Sequence, residues 1–198
     1  MLVLKTFPHP LELRTKRTLL RQWKDSDLPV WCAMNADAEV RRHFASVLTE
    51  EESLGEAQRI RDAVSQRGWG AWALELPGVM PFAGFVGLLV PTFEAPWTPA
   101  VEIGWRLPTA AWGKGYATEA ARAVARFAFD VLELDEIVAI AVPGNTPSHK
   151  VMERIGMRRE AEGDFEHPRL PEGHALRRHL LYRLDRASFR RHLNKTPA

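Results

Sequence analysis

The densest chemistry in the sequence lies between Glu102 and Thr118, where an alternating strand pattern gives way to Pro108–Trp112 and then to Gly113-Lys114-Gly115-Tyr116-Ala117. The alanines that follow predict a helix opening at this pentapeptide. A helix start carries N–H groups with no intrahelical acceptor and the positive end of the dipole, so it draws anions. Gly113 and Gly115 let the backbone meet a pyrophosphate with no Cβ between them, and Lys114 adds a mobile positive charge. Ala117, Ala120 and Ala121 are small enough for the helix to lie close on a sheet. This is chemistry for holding a diphosphate-bearing cofactor, and by itself it does not say which.

Two nucleotide readings compete. A Walker A loop needs Gly-x-x-x-x-Gly-Lys-Ser/Thr, and the sequence has no such string. A dinucleotide fingerprint is nearer, because Gly113-x-Gly115 is followed by Asp135 where a ribose-binding acid would be expected. Its third small position falls on Thr118, however, and Pro108–Trp112 keeps the loop from leaving the strand directly.

The elements that must position this loop can be read from period and punctuation. Thr18–Arg21 is short and extended, and Asp25-Ser26-Asp27 offers cap chemistry for a helix over about Leu28–Asn35. A further helical turn is expected over Ala38–Phe44. Thr49 and Glu52 form a capping box ahead of an apolar stripe at Leu54, Ala57, Ile60 and Val64, with Gly68 as the stop. Trp69–Leu76 and Phe82–Val90 read as a hairpin, and Thr92–Pro99, with two prolines and no period, as a loop. Val101, Ile103, Trp105 and Leu107 alternate with Glu102, Gly104 and Arg106 along a half-buried strand. A long helix follows over Ala117–Leu132, with Ala117, Ala120, Ala121, Val124, Ala128 and Val131 on one face.

Ile137–Val142 is a continuous apolar run, as in a strand covered on both faces. Thr146 caps a short helix with Pro147 at its first position and Gly156 at its end. Strands are expected near Arg158–Phe165 and His179–Leu184. The order predicts an α/β (α+β) fold with a mixed sheet, helices on both faces and at least one parallel strand–helix–strand crossover.

The bulk numbers fit one domain. The 198 residues, 45% hydrophobic and 26% charged, suffice for a continuous core and are too few for two ordinary domains. Cys32 stands alone, which excludes an internal disulfide and a multi-cysteine metal site and suits a reducing, cytoplasmic setting. No segment reads as a signal peptide or membrane span. A formal charge of +2 is far from the dense basic stripe of a nucleic-acid binder. Arg177-Arg178 and Arg190-Arg191-His192 read as solvated, the latter in a basic tail over 186–198. His167, Glu172, His174 and His179 could suggest a metal, but Pro168 and Pro171 break helical ligand spacing, so a flexible loop is expected and no metal site. Trp69, Trp72 and Trp105 read as sheet core, and Trp97 as a possible lid.

Trp112-Gly113-Lys114-Gly115-Tyr116-Ala117-Thr118-Glu119-Ala120, behind Glu102-Ile103-Gly104-Trp105, resembles the acetyl-CoA motif of the GNAT superfamily. Asn145-x-x-Ser148-x-x-Val151, ending in Ile155-Gly156-Met157, resembles its second motif. Thr15, Arg17, Leu19–Arg21, Asp37, Glu39 and Val40 resemble its RimJ/RimL-like branch of ribosomal-protein N-terminal acetyltransferases. The resemblance covers about residues 11–185 and implies a mostly antiparallel sheet of about six to seven strands, splayed at the cofactor site. It implies pantetheine along the backbone of Trp105, Arg106 and Leu107, with the pyrophosphate on the amides of Gly113 to Thr118. Asn145 would steady the strand-to-helix junction and touch the pantetheine.

The implied reaction moves acetyl from acetyl-CoA to a primary amine, either a protein N-terminus or a small molecule. An α-amine titrates near ~8 and a lysine-type amine near ~10.4, so the former asks less of a base. The resemblance makes Glu102 that base, through a water; pairing with Arg106 on the same strand face is its structural alternative. Relatives often place an acidic tyrosine where this chain has Met152, so Ser148 inherits the leaving thiolate, or is simply a first-turn polar residue. The first motif position, commonly Gln or Arg, is Trp112 here. An acetyl-CoA-binding module without turnover stays open as an alternative, and a homodimer is compatible.

Overall fold

The computed structural model describes residues 4–195. The described residues form one mixed sheet of eight strands in the order β1-β2-β3-β4-β5-β6-β8-β7. The strands are β1 (Leu13–Arg14), β2 (Leu19–Arg21), β3 (Ala71–Glu75), β4 (Phe85–Leu89), β5 (Glu102–Arg106), β6 (Glu136–Ala141), β7 (Arg158–Glu166) and β8 (Arg178–Asp185). The helices are α1 (Leu28–Ala36), α2 (Glu50–Arg67), α3 (Tyr116–Asp130), α4 (Thr146–Arg154) and α5 (Arg186–Lys195). The eighth strand beyond the expected number is the two-residue edge β1, too short to leave a period in the sequence.

Every neighbouring pair is antiparallel except β5 and β6, which run parallel with a single registered pair, Glu102 opposite Val138. Beyond that pair the strands diverge, leaving the backbone of Gly104 to Leu107 without a partner strand on that side. The antiparallel neighbour β4, by contrast, follows β5 along its whole length from Glu102 to Arg106. The sheet is therefore split at its centre.

Alternation along the strands sends side chains to two faces. On the rear face Trp72, Leu74, Val86, Leu88, Ile103 and Leu107 join α3, α4 and α5 in the main core. The small buried face of α3 (Ala120, Ala121, Val124, Ala125, Ala128) lets that helix rest on β4 and β5. On the front face α1 and α2 cover one half through Trp31, Met34, Ala57, Ala71, Ala73 and Phe85. Among the described residues no helix covers the other half; Trp97, from the loop between β4 and β5, packs there on Val138, Phe165 and Leu181.

The expected capping box is present: the Thr49 N–H donates to Glu52 Oε2 at 2.8 Å, and the Glu52 N–H to Thr49 Oγ1 at 3.2 Å. Gly68 ends α2 in the left-handed region. Four expectations need correction. Residues 38–44 form hydrogen-bonded turns (Arg41 N–H to Asp37 O, Phe44 N–H to Arg41 O) rather than a helix. In α2 the buried positions are Ser53, Ala57 and Val64, while Leu54 is exposed, because α1 crosses nearer the helix start. Val131, expected on the apolar face of α3, is exposed just beyond the helix end.

The fourth concerns the C-terminus. Arg186–Lys195 is a helix, not a tail, since Phe189 is buried against Phe129 with ring centroids 5.2 Å apart. Arg190 and Arg191 do face solvent, as charges on the outer side of an amphipathic helix should. One aromatic among basic residues gave too little periodicity to reveal it. Residues 196–198 of the expected tail lie outside the described residues.

Candidate active site

The glycines at the start of α3 take the conformation their role requires. Gly113 and Gly115 have φ of 72° and 80°, a region where a Cβ is penalised. Among the described residues, none of the N–H groups from Gly113 to Thr118 donates to another protein atom; the first helical bond is Glu119 N–H to Gly115 O at 3.0 Å. The row is a ready anion cradle.

It opens into a cavity of about 630 Å³ whose walls include Gly113, Gly115, Tyr116, Ala117 and Thr118. Trp105, Arg106 and Leu107, at the unpaired end of β5, form a second wall, and Asn145 and Ser148 at the start of α4 a third. Phe44 and the turns before it close the fourth side, and His43 crosses over to lie beside Gly144. The cavity thus occupies the split between β5 and β6. Of the residues expected from the sequence, all but Glu102 and Lys114 stand on its walls.

Lys114 turns the other way. Its ammonium donates to Ala110 O at 2.9 Å, and its carbonyl accepts from Arg17 Nη1 at 3.0 Å. Arg17 belongs to a brace: its Nε donates to Glu119 Oε2 at 2.6 Å, its own N–H and the Thr15 hydroxyl reach Glu119 Oε1, and its guanidinium lies 4.9 Å over Tyr116. Burial works to raise the Glu119 pKa, but these hydrogen bonds outweigh it and hold the carboxyl below its ordinary value. Pinning the Lys114 carbonyl outward turns the following amides inward. The sequence motif contained Glu119 and Arg17, yet only the fold shows them as partners across about a hundred residues.

Trp112 replaces a polar side chain with a different contact. Its indole N–H donates to Leu107 O at 2.8 Å, and the Arg42 guanidinium lies 5.4 Å from its ring. It ties the strand end to the loop. Asn145, rather than the expected Thr146, caps α4, its Oδ1 accepting from the Ser148 N–H at 3.3 Å, and the Ser148 hydroxyl has no hydrogen-bond partner among the described residues. Met152, one turn on, points into the core and is 2% exposed.

Glu102 sits at the closed end of the split, beside Leu89 on β4 and Val138 on β6. It makes no ion pair or side-chain hydrogen bond among the described residues, and desolvation pushes its pKa up to about 7. The alternative of pairing with Arg106 does not hold: Arg106 bonds Glu56 at 3.1 Å and Asn35 at 2.8 Å instead. A carboxyl half-protonated near neutrality suits proton transfer, but Glu102 stands off the cavity wall that Trp105, Arg106 and Leu107 of its strand form. Two other expectations shift. Trp105 is half-buried on the cavity wall rather than fully in the core, and Trp97 is 6% exposed, packed 5.3 Å from Phe165, as a fixed cover. Asp135, the ribose-binding candidate of the dinucleotide reading, is fully exposed at the far end of β6.

The sequence family described as "Acetyltransferase (GNAT) domain" matches residues 17–158. The chain belongs to that family. It is an acetyl-CoA-dependent acyltransferase by that membership. An uncharacterized N-acetyltransferase of Bacillus subtilis, YnaD, is 30% identical over 152 residues, 76% of this chain and 84% of the relative. A GNAT-family acetyltransferase structure from Bacillus anthracis is 28% identical, covers 88% of this chain and 98% of its own, and superposes with a TM-score of 0.72. RimJ of Mycobacterium smegmatis, solved in complex with CoA-disulfide, is 23% identical with a TM-score of 0.65 over 94% of this chain and 96% of its own, a likeness of fold.

Proposed function

We propose that the chain is a single-domain, cytoplasmic N-acetyltransferase that moves acetyl from acetyl-CoA directly onto a primary amine, of a protein N-terminus or a small molecule. The observation that carries this reading is the row of unpartnered N–H groups from Gly113 to Thr118, opening into the same cavity as the unpaired end of β5. The pyrophosphate of acetyl-CoA fits the first, and the pantetheine amides fit the backbone of Trp105, Arg106 and Leu107 as an added strand. The RimJ/RimL-like motifs and the fold shared with RimJ support that branch. A homodimer is compatible with the fold; nucleic acid and membrane are not among the partners proposed.

In the reaction the amine nitrogen bonds the acetyl carbon and the carbon–sulfur bond breaks. Glu102, ionised at or above pH 7, takes the proton the nitrogen loses, through a water. Ser148, with its hydroxyl free at the cavity wall, donates a hydrogen bond to the departing thiolate. Low polarity around Glu102 makes it a stronger base than a solvated carboxylate, which suits an amine acceptor.

The test is thiol release from acetyl-CoA with a panel of amines, for the native protein, Glu102→Gln and Ser148→Ala. Amine-dependent release that both substitutions depress supports the proposal. Acetyl-CoA that raises the melting temperature while no amine provokes release would instead make the chain a binding module.

A further inference from the structure

On the front face, four residues along β5 from Glu102, the Arg106 side chain forms part of a charged cluster. Its Nη1 donates to Asn35 Oδ1 at 2.8 Å and Glu56 Oε2 at 3.1 Å, and Nη2 reaches Glu56 Oε1 at 3.4 Å. Its Nε is buried and has no acceptor among the described residues, although the side chain is 9% exposed and Arg106 lines the cavity. One edge of the guanidinium fork is therefore unused. That edge is shaped for the two oxygens of a carboxylate.

Arg41 stands beside it, 8% exposed, sharing Asn35 Oδ1 at 3.4 Å and bonding Ser46 O. Both guanidiniums lie on one ring: Arg106 is 4.5 Å and Arg41 4.7 Å from the centroid of Phe44. Glu56 is the one carboxylate hydrogen-bonded to the pair among the described residues. Glu52, which also acts on Arg41 electrostatically, is engaged in the α2 capping box. Burial, and then the charge of Arg106, pull the Arg41 guanidinium below its ordinary pKa, as expected of two cations sharing one anion.

Gly104 separates this cluster from Glu102. It presents no side chain on the front face, where a Cβ would come 3.3 Å from Leu89 Cδ1 and 3.9 Å from Phe85 Cε2. The strand thus offers a base, a glycine step bordered by Leu89 and Phe85, and an unfilled guanidinium edge in sequence, each about two residues or roughly 6.6 Å from the next. Phe44, 38% exposed, is the outermost of three rings on the Arg106 guanidinium, with the buried Trp31 at 4.9 Å and Phe85 at 5.7 Å.

We infer that the acceptor is a small primary amine that also carries a carboxylate, with the amine over Gly104 toward Glu102 and the carboxylate on the free edge of Arg106. The inference rests on the acetyl-transfer reading above and narrows its substrate class. Arg106 then has two separate tasks: its backbone faces the cofactor, and its side chain selects the acceptor.

The test compares 4-aminobutyrate and 5-aminopentanoate with their carboxamides, whose amines are alike and whose far ends differ in charge. Thiol release should favour the carboxylates at least tenfold in kcat/KM, and Arg106→Gln or Arg41→Gln should bring the ratio toward one, whatever the absolute rates. Calorimetric binding of the same pairs to the CoA-loaded protein gives the preference without turnover. Equal use or binding of carboxylate and amide by the native protein overturns the inference, as does a preference that survives both substitutions. A neutral N-terminal peptide amide used better than either amino acid overturns it too. Transfer to none of the amines, with the carboxylate preference still present in binding, would sink the catalytic reading and leave the anion site standing.

Discussion

On the rear side of β5 the loop into α3 and its first turn present N–H groups that no atom of the described residues accepts, and on the front side Arg106 and Glu102 stand four residues apart with unmet charge demands of their own. The two regions are built differently. The rear cradle is one contiguous stretch, Gly113 to Thr118, and its function lies in backbone that a local motif already dictates. The front face borrows Asn35 from α1, Arg41 and Phe44 from the following turns, Glu56 from α2 and Glu102 and Arg106 from β5. A cofactor common to a whole family can be met by backbone, which any sequence supplies. An acceptor that differs between relatives must be met by side chains, and those come from wherever the fold delivers them.

If the front face holds the base, Glu102→Gln costs the most. We expect kcat/KM to fall about a hundredfold, within the usual span for general-base loss, with CoA affinity retained. The native rate should rise as pH rises through about 7, where Glu102 loses its proton, and that limb should vanish in the variant. A variant that keeps the limb would move the base elsewhere.

The rear cradle is tested by Gly115→Val. A β-branched residue at φ 80° is strained, and its Cβ would lie 3.4 Å from Arg17 Nη2, so CoA affinity should fall more than tenfold by calorimetry. Ser148→Ala should lower kcat about tenfold with little change in the KM for acetyl-CoA, an effect of one lost hydrogen bond to a charged group. Glu119→Gln loosens the Arg17 brace and should weaken CoA binding a few-fold, with catalysis at saturation nearly intact. An equal loss in kcat would mean that the brace reaches the front face as well.

The smallest effect is on stability. Glu102 has a folded-state pKa near 7, above its ordinary 4.5, so its contribution is fully present below about pH 4.5 and is lost as pH rises through about 7. Glu102→Gln should therefore match the native protein at pH 4 and exceed it by about 1 kcal/mol at pH 8 in denaturant unfolding. That figure lies below the roughly 3 kcal/mol a full shift would imply, because Glu102 is only half-buried and solvent screens part of the effect.

By itself the sequence determined the parts whose physics is local. Thr49 and Glu52 cap α2 through atoms three residues apart, the small face of α3 follows its period, and Gly113 and Gly115 mark a backbone that must bend where a Cβ is unwelcome. Period and punctuation carry such features because each is settled within a turn or two of chain. The split between β5 and β6, the Arg17–Glu119 brace, the Arg106–Glu56 pair, the seating of Phe189 and the covering role of Trp97 were decided only in three dimensions. Each depends on which distant segment arrives opposite, and a side chain's type restricts its possible partners without choosing among them. Arg106 could have paired with Glu102 on its own strand; the arrival of α1 and α2 over that face gave it Asn35 and Glu56, and left Glu102 alone in an apolar setting where its proton is held to neutrality.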